Sequence, residues 1–264
     1  MNLRFTKYQG AGNDFIIIDS ARQGIRVLKK NCVKMLCDRH LGIGADGIII
    51  LLPHKIYDFE MKYYNADGMP GSMCGNGGRC AVKAAAASSY VKGAKTRFTA
   101  YDGVHKALLK KDGQVALSMN EVKEIKRDGE DYVLDTGSPH YVVVEDNLDI
   151  DYCRQMGSAI RHSHTYSEKG INVNFLRLDK ANKISLITYE RGVEDITLSC
   201  GTGAIASALV WARLQHKKAG DYEIQVHNPG GKLGVKYRYD GLHHFSRIWL
   251  KGPAVKVFDG QVKI

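Results

Sequence analysis

The chain has 264 residues, 44% of them hydrophobic and 25% charged, with 28 glycines and five prolines; this is the composition of a soluble globular protein with room for one large domain or two small ones. Its net charge of +10 raises nucleic acid as a partner, but Lys29-Lys30, Lys110-Lys111, Lys123 to Arg127 and Lys217-Lys218 are scattered and lack interleaved aromatics. A solvated basic surface that favours small anions is expected, with no nucleic acid and, since no apolar run approaches a membrane span, no membrane.

The start of the chain, "MNLRFTKYQG", lacks the apolar stretch of a secretory signal, so a cytoplasmic location is the expectation. In that setting the six cysteines (Cys32, Cys37, Cys74, Cys80, Cys153, Cys200) do not read as a disulfide framework. Cys74 and Cys80 are too far apart for the usual zinc spacing and no His pair lies nearby, so no metal is expected.

Taken in order, "GNDFIIID" (Gly12 to Asp19) reads as a turn followed by a strand. "GADGIIILL" (Gly44 to Leu52) and "YDFEMKYYN" (Tyr57 to Asn65) read as two more. "CGNG" from Cys74 opens an Ala-rich run expected to be helical from about Gly77 to Val91, and "KTRFTAYDG" (Lys95 to Gly103) reads as another strand. The same order then recurs 126 residues on. "SPHYVVVE" (Ser138 to Glu145), "GINVNFLRL" (Gly170 to Leu178), "KISLITYER" (Lys183 to Arg191), "CGTG" from Cys200 with a helix from about Gly203 to Gln215, and "DYEIQVHNPG" from Asp221 fall on their counterparts in one ungapped register. Only residues 22 to 40 match poorly.

This periodicity implies an internal duplication. The fold expected is α/β (α+β), two pseudo-symmetric domains, each a barrel-like mixed β-sheet around a central helix. The strand-like tail "GPAVKVFDGQVKI" has no partner in the repeat, so it is assigned to the first domain. The domains expected are 1–114 plus 252–264, and 115–251.

At each helix start the glycines allow a turn whose successive N–H groups point at one spot, with Asn76 and Thr202 as the expected N-caps. Unsatisfied N–H groups and the positive end of the helix dipole form an anion site, and the same field lowers a thiol's pKa. An amino acid held by its α-carboxylate between two such sites would have a thiol on each face of Cα. One thiolate could remove the proton while the other thiol delivers one from the far side, with the N–H groups stabilising the developing charge. A single Cys beside an Ala-rich helix is usually core, and that is the reading for Cys32, Cys37, Cys80 and Cys153. Cys80 has Ala206 as its repeat mate. Cys74 and Cys200 share the duplicated context.

The blocks "GAGNDFIIID", "DRHLGIGADG", "NADG…MCGNGGRC", "TGSPHYVVVE", "GINVNF", "ERG" and "LSCGTGA" together resemble the diaminopimelate epimerase family, from about residue 7 to "GPAVKVFDGQ". The resemblance implies two similar α/β domains and conversion of LL-2,6-diaminopimelate to the meso form in lysine and peptidoglycan-precursor biosynthesis. It implies no cofactor, neither pyridoxal phosphate nor metal. By motif position it makes Cys74 the proton donor and Cys200 the acceptor, with His140 and Glu190 biasing the two thiols. It places Gly75, Asn76, Gly201 and Thr202 on the α-carboxylate, and Asn13, Asn65, Asn172, Glu190 and Arg191 on the rest of the substrate. Arg191 could grip the distal carboxylate with a bidentate fork. The only partner implied is the small-molecule substrate, LL- or meso-diaminopimelate, with a homodimer as a possible assembly.

The chain departs from the family's pattern at Gly47, where some members have Gln, and at Ser138, where many have Asn. The loop "VEDITLS" before Cys200 is one residue longer. Asp14, Asp46 and Asp67 read as turn residues. Competing readings are a two-cysteine proline or hydroxyproline racemase, which gives no reason for Arg191 beside Glu190, and a thiol–disulfide oxidoreductase, which would normally show C-x-x-C. A binding protein explains the glycine-rich helix starts but not a thiol on each, and a pyridoxal enzyme leaves the paired cysteines unexplained.

Overall fold

The computed structural model describes residues 2–71, 73–215 and 217–264. The chain divides into two compact units, Met1–Leu117 with Gly252–Ile264, and Ser118–Lys251. The first holds β1 (Asn2–Gly10), β2 (Asn13–Asp19), α1 (Ser20–Gln23), α2 (Lys30–Cys37), β3 (Gly47–Leu52), β4 (Phe59–Asn65), α3 (Gly75–Ala87), β5 (Lys95–Ala100), β6 (Gly103–Leu109) and β7 (Val115–Ser118), at whose end the chain passes to the second unit. There follow β8 (Lys126–Asp128), β9 (Asp131–Asp135), β10 (Pro139–Val144), α4 (Ile150–Arg161), β11 (Asn172–Leu178), β12 (Lys183–Glu190), β13 (Asp195–Thr197), α5 (Gly201–Leu214), β14 (Gly220–Asn228), β15 (Gly231–Tyr239) and β16 (Phe245–Gly252). The tail forms β17 (Val255–Lys263), antiparallel beside β1 in the first unit.

The sheets repeat one plan. β2 runs parallel to β3, β3 antiparallel to β4, β4 parallel to β5 and β5 antiparallel to β6. In the second unit β10, β11, β12, β14 and β15 follow the same sequence of parallel and antiparallel pairs. Register agrees at the first pair, with Phe15 opposite Gly47 and Tyr141 opposite Val173. It slips at the second, where Gly47 faces Asn65 but Val173 faces Tyr189, so the structural mate of Asn65 is Tyr189 and not Arg191. The ungapped register read from the sequence therefore breaks by two residues at β12. Side chains alternate with period two, so this slip keeps the same face inward and leaves the hydrophobic pattern unchanged.

Each sheet is covered on both faces, which explains the unbroken apolar runs of β2 and β3. Ile16, Ile18, Ile48 and Ile50 join Val33 and Leu36 of α2 in one cluster. Phe15 and Ile49 point the other way, against Gly77 of α3. In the second unit α4 places Cys153 in the corresponding outer cluster with Val173, Phe175 and Tyr189. Burying each such Ile or Phe contributes about 2 kcal/mol. The central helices touch strands on several sides: α3 meets β1, β2, β3, β4, β6 and β17, while α5 meets β9, β10, β11, β12, β14 and β15. So enclosed a place favours small side chains at many positions, hence the Ala-rich sequences, although Arg79 of α3 and Trp211 of α5 are buried there too. A Cβ at Gly10 would already stand 3.1 Å from the Cys80 Sγ.

Two sequence-based expectations need correction. Segment 22–40, which had offered no pattern, contains α2, and its counterpart contains α4, so each unit has an outer helix as well as a central one. Both central helices also begin two residues early. Cys74 and Cys200 are themselves the N-caps, in extended backbone conformation, while Asn76 and Thr202 lie inside the first turn. Gly75 and Gly201 adopt helical geometry, and a cysteine sulfur can accept a capping hydrogen bond. Among the described residues no helix is long and apolar enough to cross a membrane.

Candidate functional site

In both units the expected residues gather at one end of the sheet. In the first unit this end is formed by the start of β2 (Asn13), the start of β3 (Gly47), the end of β4 (Asn65) and the mouth of α3. In the second it is formed by the start of β10 (His140), the start of β11 (Asn172), the end of β12 (Glu190) and the mouth of α5. Each unit thus carries a half-site built from corresponding parts.

The first half-site is a directional chain of hydrogen bonds. Cys74 is half-buried at the cap of α3, and the Gly78 N–H closes the first turn on its carbonyl at 2.7 Å. Arg79, 0% exposed, donates through Nη2 to the Asn76 Oδ1 at 2.6 Å. The Asn76 Nδ2 in turn donates to the Asn13 Oδ1, and the Asn13 Nδ2 to the Asp46 Oδ2 at 2.9 Å. Arg39 holds the other oxygen of Asp46 at 2.7 Å and also grips Asp14. Paired with Arg39 and Lys7, the Asp14 carboxyl lies below its ordinary range although burial alone would raise it. The orientation of both amides is fixed by the charges at the ends of the chain. Asn13 and Asn76 are therefore braced by hydrogen bonds on both sides, and the Asn76 backbone N–H lies in the first helical turn. Asn65 anchors the turn after β4, its N–H donating to Met69 O and its carbonyl accepting from Gly68 N, each at 2.9 Å.

At Gly47 the ring of Tyr63 takes the space a side chain would need. A Cβ there would lie 2.5 Å from Tyr63 Cε2 and 2.6 Å from the Tyr64 carbonyl. Gly71 faces the same ring, and a Cβ there would lie 2.7 Å from Cδ1.

In the second half-site Cys200, 7% exposed, caps α5 with its Sγ accepting from the Gly203 N–H at 3.4 Å, and the Thr202 hydroxyl lies 3.5 Å from the same sulfur. Thr136 donates to the Thr202 carbonyl at 3.0 Å and ties this first turn to the loop before β10. Gly203 leaves room for Asn174: a Cβ there would stand 2.3 Å from the Asn174 Oδ1, so a larger residue would have to displace that side chain.

His140 is wholly buried on β10. Asn174 accepts from the Thr188 hydroxyl through Oδ1 at 3.0 Å, so its Nδ2 faces the His140 Nδ1 at 2.9 Å. That makes Nδ1 the acceptor and puts the ring proton on Nε2, which meets no hydrogen-bond partner among the described residues. Burial, aided by the charge of Arg191, pulls its pKa down to about 3. Any influence of His140 on a thiol therefore comes from a neutral N–H dipole, not from an imidazolium.

Asn172 works as a bracket. Its Nδ2 donates to the Ser138 Oγ at 2.9 Å and the Pro139 carbonyl at 3.2 Å, and its Oδ1 accepts from the Arg191 N–H at 3.0 Å. Ser138, the departure noted in the sequence, is thus integrated into the wall. The Glu190 Oε2 accepts from the Thr197 hydroxyl at 3.0 Å, which ties Glu190 to β13. Among the described residues the Arg191 guanidinium makes no ion pair; Nη1 donates to the Lys169 carbonyl at 2.9 Å. Gly170, at φ +73°, makes room for it, since a Cβ would be 2.4 Å from Arg191 Cδ.

Sequence reasoning missed Arg79, Asp46, Asn174 and Thr188. Asp46 had been set aside as a turn residue, and the others sit inside strand or helix runs whose pattern signals burial only. Among the described residues no group of three or more His, Cys, Asp or Glu could hold a metal.

The family model described as diaminopimelate epimerase matches residues 5–125 and 132–257. The chain is 43% identical over 257 residues to the diaminopimelate epimerase of Flavobacterium psychrophilum, spanning 97% of this chain and 99% of that protein. It is 40% identical over 262 residues to that of Chlorobaculum tepidum, again with 97% and 99% covered. Among solved structures it is similar to a Bacillus anthracis phenazine biosynthesis protein of the PhzF family, with a TM-score of 0.77 at 13% identity over the whole of both chains. A probable proline racemase from Agrobacterium radiobacter gives 0.70 at 16% identity, with 99% of this chain and 93% of that one covered. At such identities the solved structures speak for the fold alone.

Proposed function

The chain belongs to the diaminopimelate epimerase family, and on that premise we propose that it converts LL-2,6-diaminopimelate to the meso form with Cys74 and Cys200 as its acid and base. The observation that carries this reading is the duplicated helix mouth, with a cysteine as N-cap and a glycine-containing first turn in each unit.

The reaction inverts one carbon, which needs a base on one face of Cα and an acid on the other. With the LL substrate, the Cys200 thiolate removes the Cα proton and the Cys74 thiol delivers one to the opposite face. The carbanion is stabilised by delocalisation into the α-carboxylate. The N–H groups of Gly75, Asn76, Gly201 and Thr202 bind that carboxylate and gain strength as its charge grows, so they favour the transition state over the bound substrate. The N–H bond from Gly203 to the Cys200 sulfur and the positive end of α5 favour the thiolate. Asn13, held between Asn76 and Asp46, and Asn65 line the first half-site. Arg191, whose guanidinium makes no ion pair among the described residues, receives the distal carboxylate, and Glu190 accepts from the substrate ammonium. Both reacting groups are thiols, so the scheme uses no cofactor. A cytoplasmic site of action is part of the proposal. So is a homodimer, supported by the exposed apolar side chains Val255, Val257 and Phe258 on β17.

The test is incubation of the reduced protein with LL-diaminopimelate, followed by chiral chromatography, with L-proline as comparator. Accumulation of the meso isomer and an unchanged proline sample are expected. No conversion of LL-diaminopimelate would overturn the assignment, and racemised proline would replace it with the proline reading.

A further inference from the structure

Gly47 gives β3 no side chain at the end of the sheet where the first half-site lies, and the neighbouring strand fills the space. A Cβ at Gly47 would stand 2.5 Å from the Tyr63 Cε2 and 2.9 Å from the Tyr63 hydroxyl oxygen. The phenol therefore occupies the position that a side chain at 47 would take. On the other edge of the ring, a Cβ at Gly71 would stand 2.7 Å from Cδ1 and Cε1, and 3.1 Å from the Asn65 Nδ2. Two glycines thus leave a slot for one ring, next to the Asn65 amide. Phe15 packs edge-on against that ring, with the centroids 6.1 Å apart and the planes at 71°.

The ring lies on the face of the sheet that carries the half-site. Side chains alternate along a strand, and Gly77 in the first turn of α3 faces Ile49 and Phe15. Ile49 pairs with Tyr63, and Gly47 with Asn65, across β3 and β4. Gly47, Tyr63 and Asn65 therefore share the face that meets the mouth of α3. Asn13, two residues before Phe15, joins them there, and its amide oxygen accepts from Asn76 of that mouth. Tyr64 takes the opposite face and is buried in the outer cluster with Ile48 and Ile50. Tyr63 itself is only half-buried. A ring fills a slot without a hydroxyl, so packing gives no reason for Tyr over Phe. A phenol hydroxyl donates one hydrogen bond and accepts others, which lets it serve the wall and a ligand together.

We propose that Tyr63 is a substrate-binding, specificity-determining residue of the first half-site: its hydroxyl, delivered from β4 over Gly47, hydrogen-bonds the substrate beside Asn65. The helix mouth takes the reacting carboxylate, so the group that Tyr63 meets is the charged amino-acid head group that does not react. The polar contact that a longer side chain at 47 would make is thus supplied from the adjacent strand. This inference rests on the functional reading above and extends it to a residue that reading leaves out.

The test is steady-state epimerisation of LL-diaminopimelate by the unaltered reduced protein, Tyr63→Phe and Tyr64→Phe. Tyr63→Phe keeps the ring in its slot and removes only the hydroxyl. Its KM is expected to rise about ten-fold, the loss that goes with one hydrogen bond to a charged group, with kcat nearly unchanged. Tyr64→Phe, on the opposite face, is expected to leave both constants in place. An exchange of positions adds a readout that a packing role would not move. Tyr63→Val empties the slot and Gly47→Gln drives a side chain into the ring, so each alone is expected to raise KM. In the double variant the Gln has room to supply the polar group, and KM is expected to fall below that of either single variant. An unmoved KM in Tyr63→Phe, or a double variant no better than the singles, would overturn the proposal and leave Tyr63 as a space-filling ring. If a variant at Gly47 does not fold, Tyr63→Phe decides alone. An unaltered protein that leaves LL-diaminopimelate unchanged would overturn the functional reading and this inference with it. Turnover by the unaltered protein, matched by Tyr63→Phe at the same KM, would overturn this inference only.

Discussion

In the first unit a half-buried cysteine caps a helix whose fifth residue is a buried arginine. In the second a buried cysteine caps a helix whose fifth residue is Ile205. The first half-site is organised by charge, along a chain from Arg79 through Asn76 and Asn13 to Asp46. The second is organised by close packing and neutral dipoles, with Gly203 against Asn174 and a neutral His140 behind them. Duplication supplies two thiols at two helix mouths, and divergence of their surroundings makes them unequal. A reaction that needs an acid and a base at the same moment benefits from that inequality.

The most severe way to break the comparison is to remove a thiol. Cys74→Ala and Cys200→Ala are each expected to lower kcat/KM by about 1,000-fold or more, and the double variant is expected to lose little beyond either single one, because the pair acts as a unit. Rates from the same chiral assay check this, and additive losses would contradict it.

Acid titration comes next. His140 is neutral in the folded protein down to about pH 3, whereas an unfolded His takes up its proton near pH 6.5. Between those values the unfolded chain binds the extra proton, so stability falls with falling pH by about 1.4 kcal/mol per unit from this residue and is unaffected above that window. His140→Gln should flatten the slope in urea titrations at pH 7, 6 and 5. An unchanged slope would mean that His140 titrates in the folded state.

The paired glycines sharpen the contrast at lower cost. Gly203→Ala drives a Cβ to 2.3 Å from the Asn174 Oδ1, whereas Gly77→Ala meets Ile49 and Phe15 at 3.4 Å, ordinary contact. A loss of about 2–3 kcal/mol is expected for the first and a change within about 1 kcal/mol for the second, read from urea midpoints. Equal effects would mean that the two mouths are packed alike. The smallest expected effect is that of Asp46→Asn, which weakens the grip on Asn13. It should raise KM a few-fold with kcat nearly unchanged, and a fall in kcat alone would argue against a binding role for Asn13.

Much of this was legible in the sequence because it is periodic or punctuated. Strands such as Tyr57 to Asn65 and Lys183 to Arg191 announced themselves by alternation, Gly12 to Asp19 by a short apolar run after a turn, and the two thiols by their duplicated glycine-rich setting. What stayed hidden has physical reasons. The two-residue slip at β12 preserves the inward face, so no hydrophobic pattern could reveal it. Helices α2 and α4 share neither length nor sequence and are alike only in covering the sheet. The N-caps were placed on Asn76 and Thr202 because those residue types usually cap, but the cysteines took that position. Arg79 and Asn174 could not be read at all: a buried cation held by two carbonyls and an amide oxygen, or an amide that sets a histidine's tautomer, is a fact about neighbours in space.

The most direct test of the central claim, that two thiols act on opposite faces of one carbon, is turnover of LL-diaminopimelate in D₂O stopped at low conversion. Two-base inversion predicts deuterium at the inverted Cα of the meso product and almost none in the recovered LL substrate, because the thiol that removes the proton is not the one that delivers the deuteron. Deuterium appearing equally in both isomers from the outset would mean that a single base serves both faces, and would contradict the account.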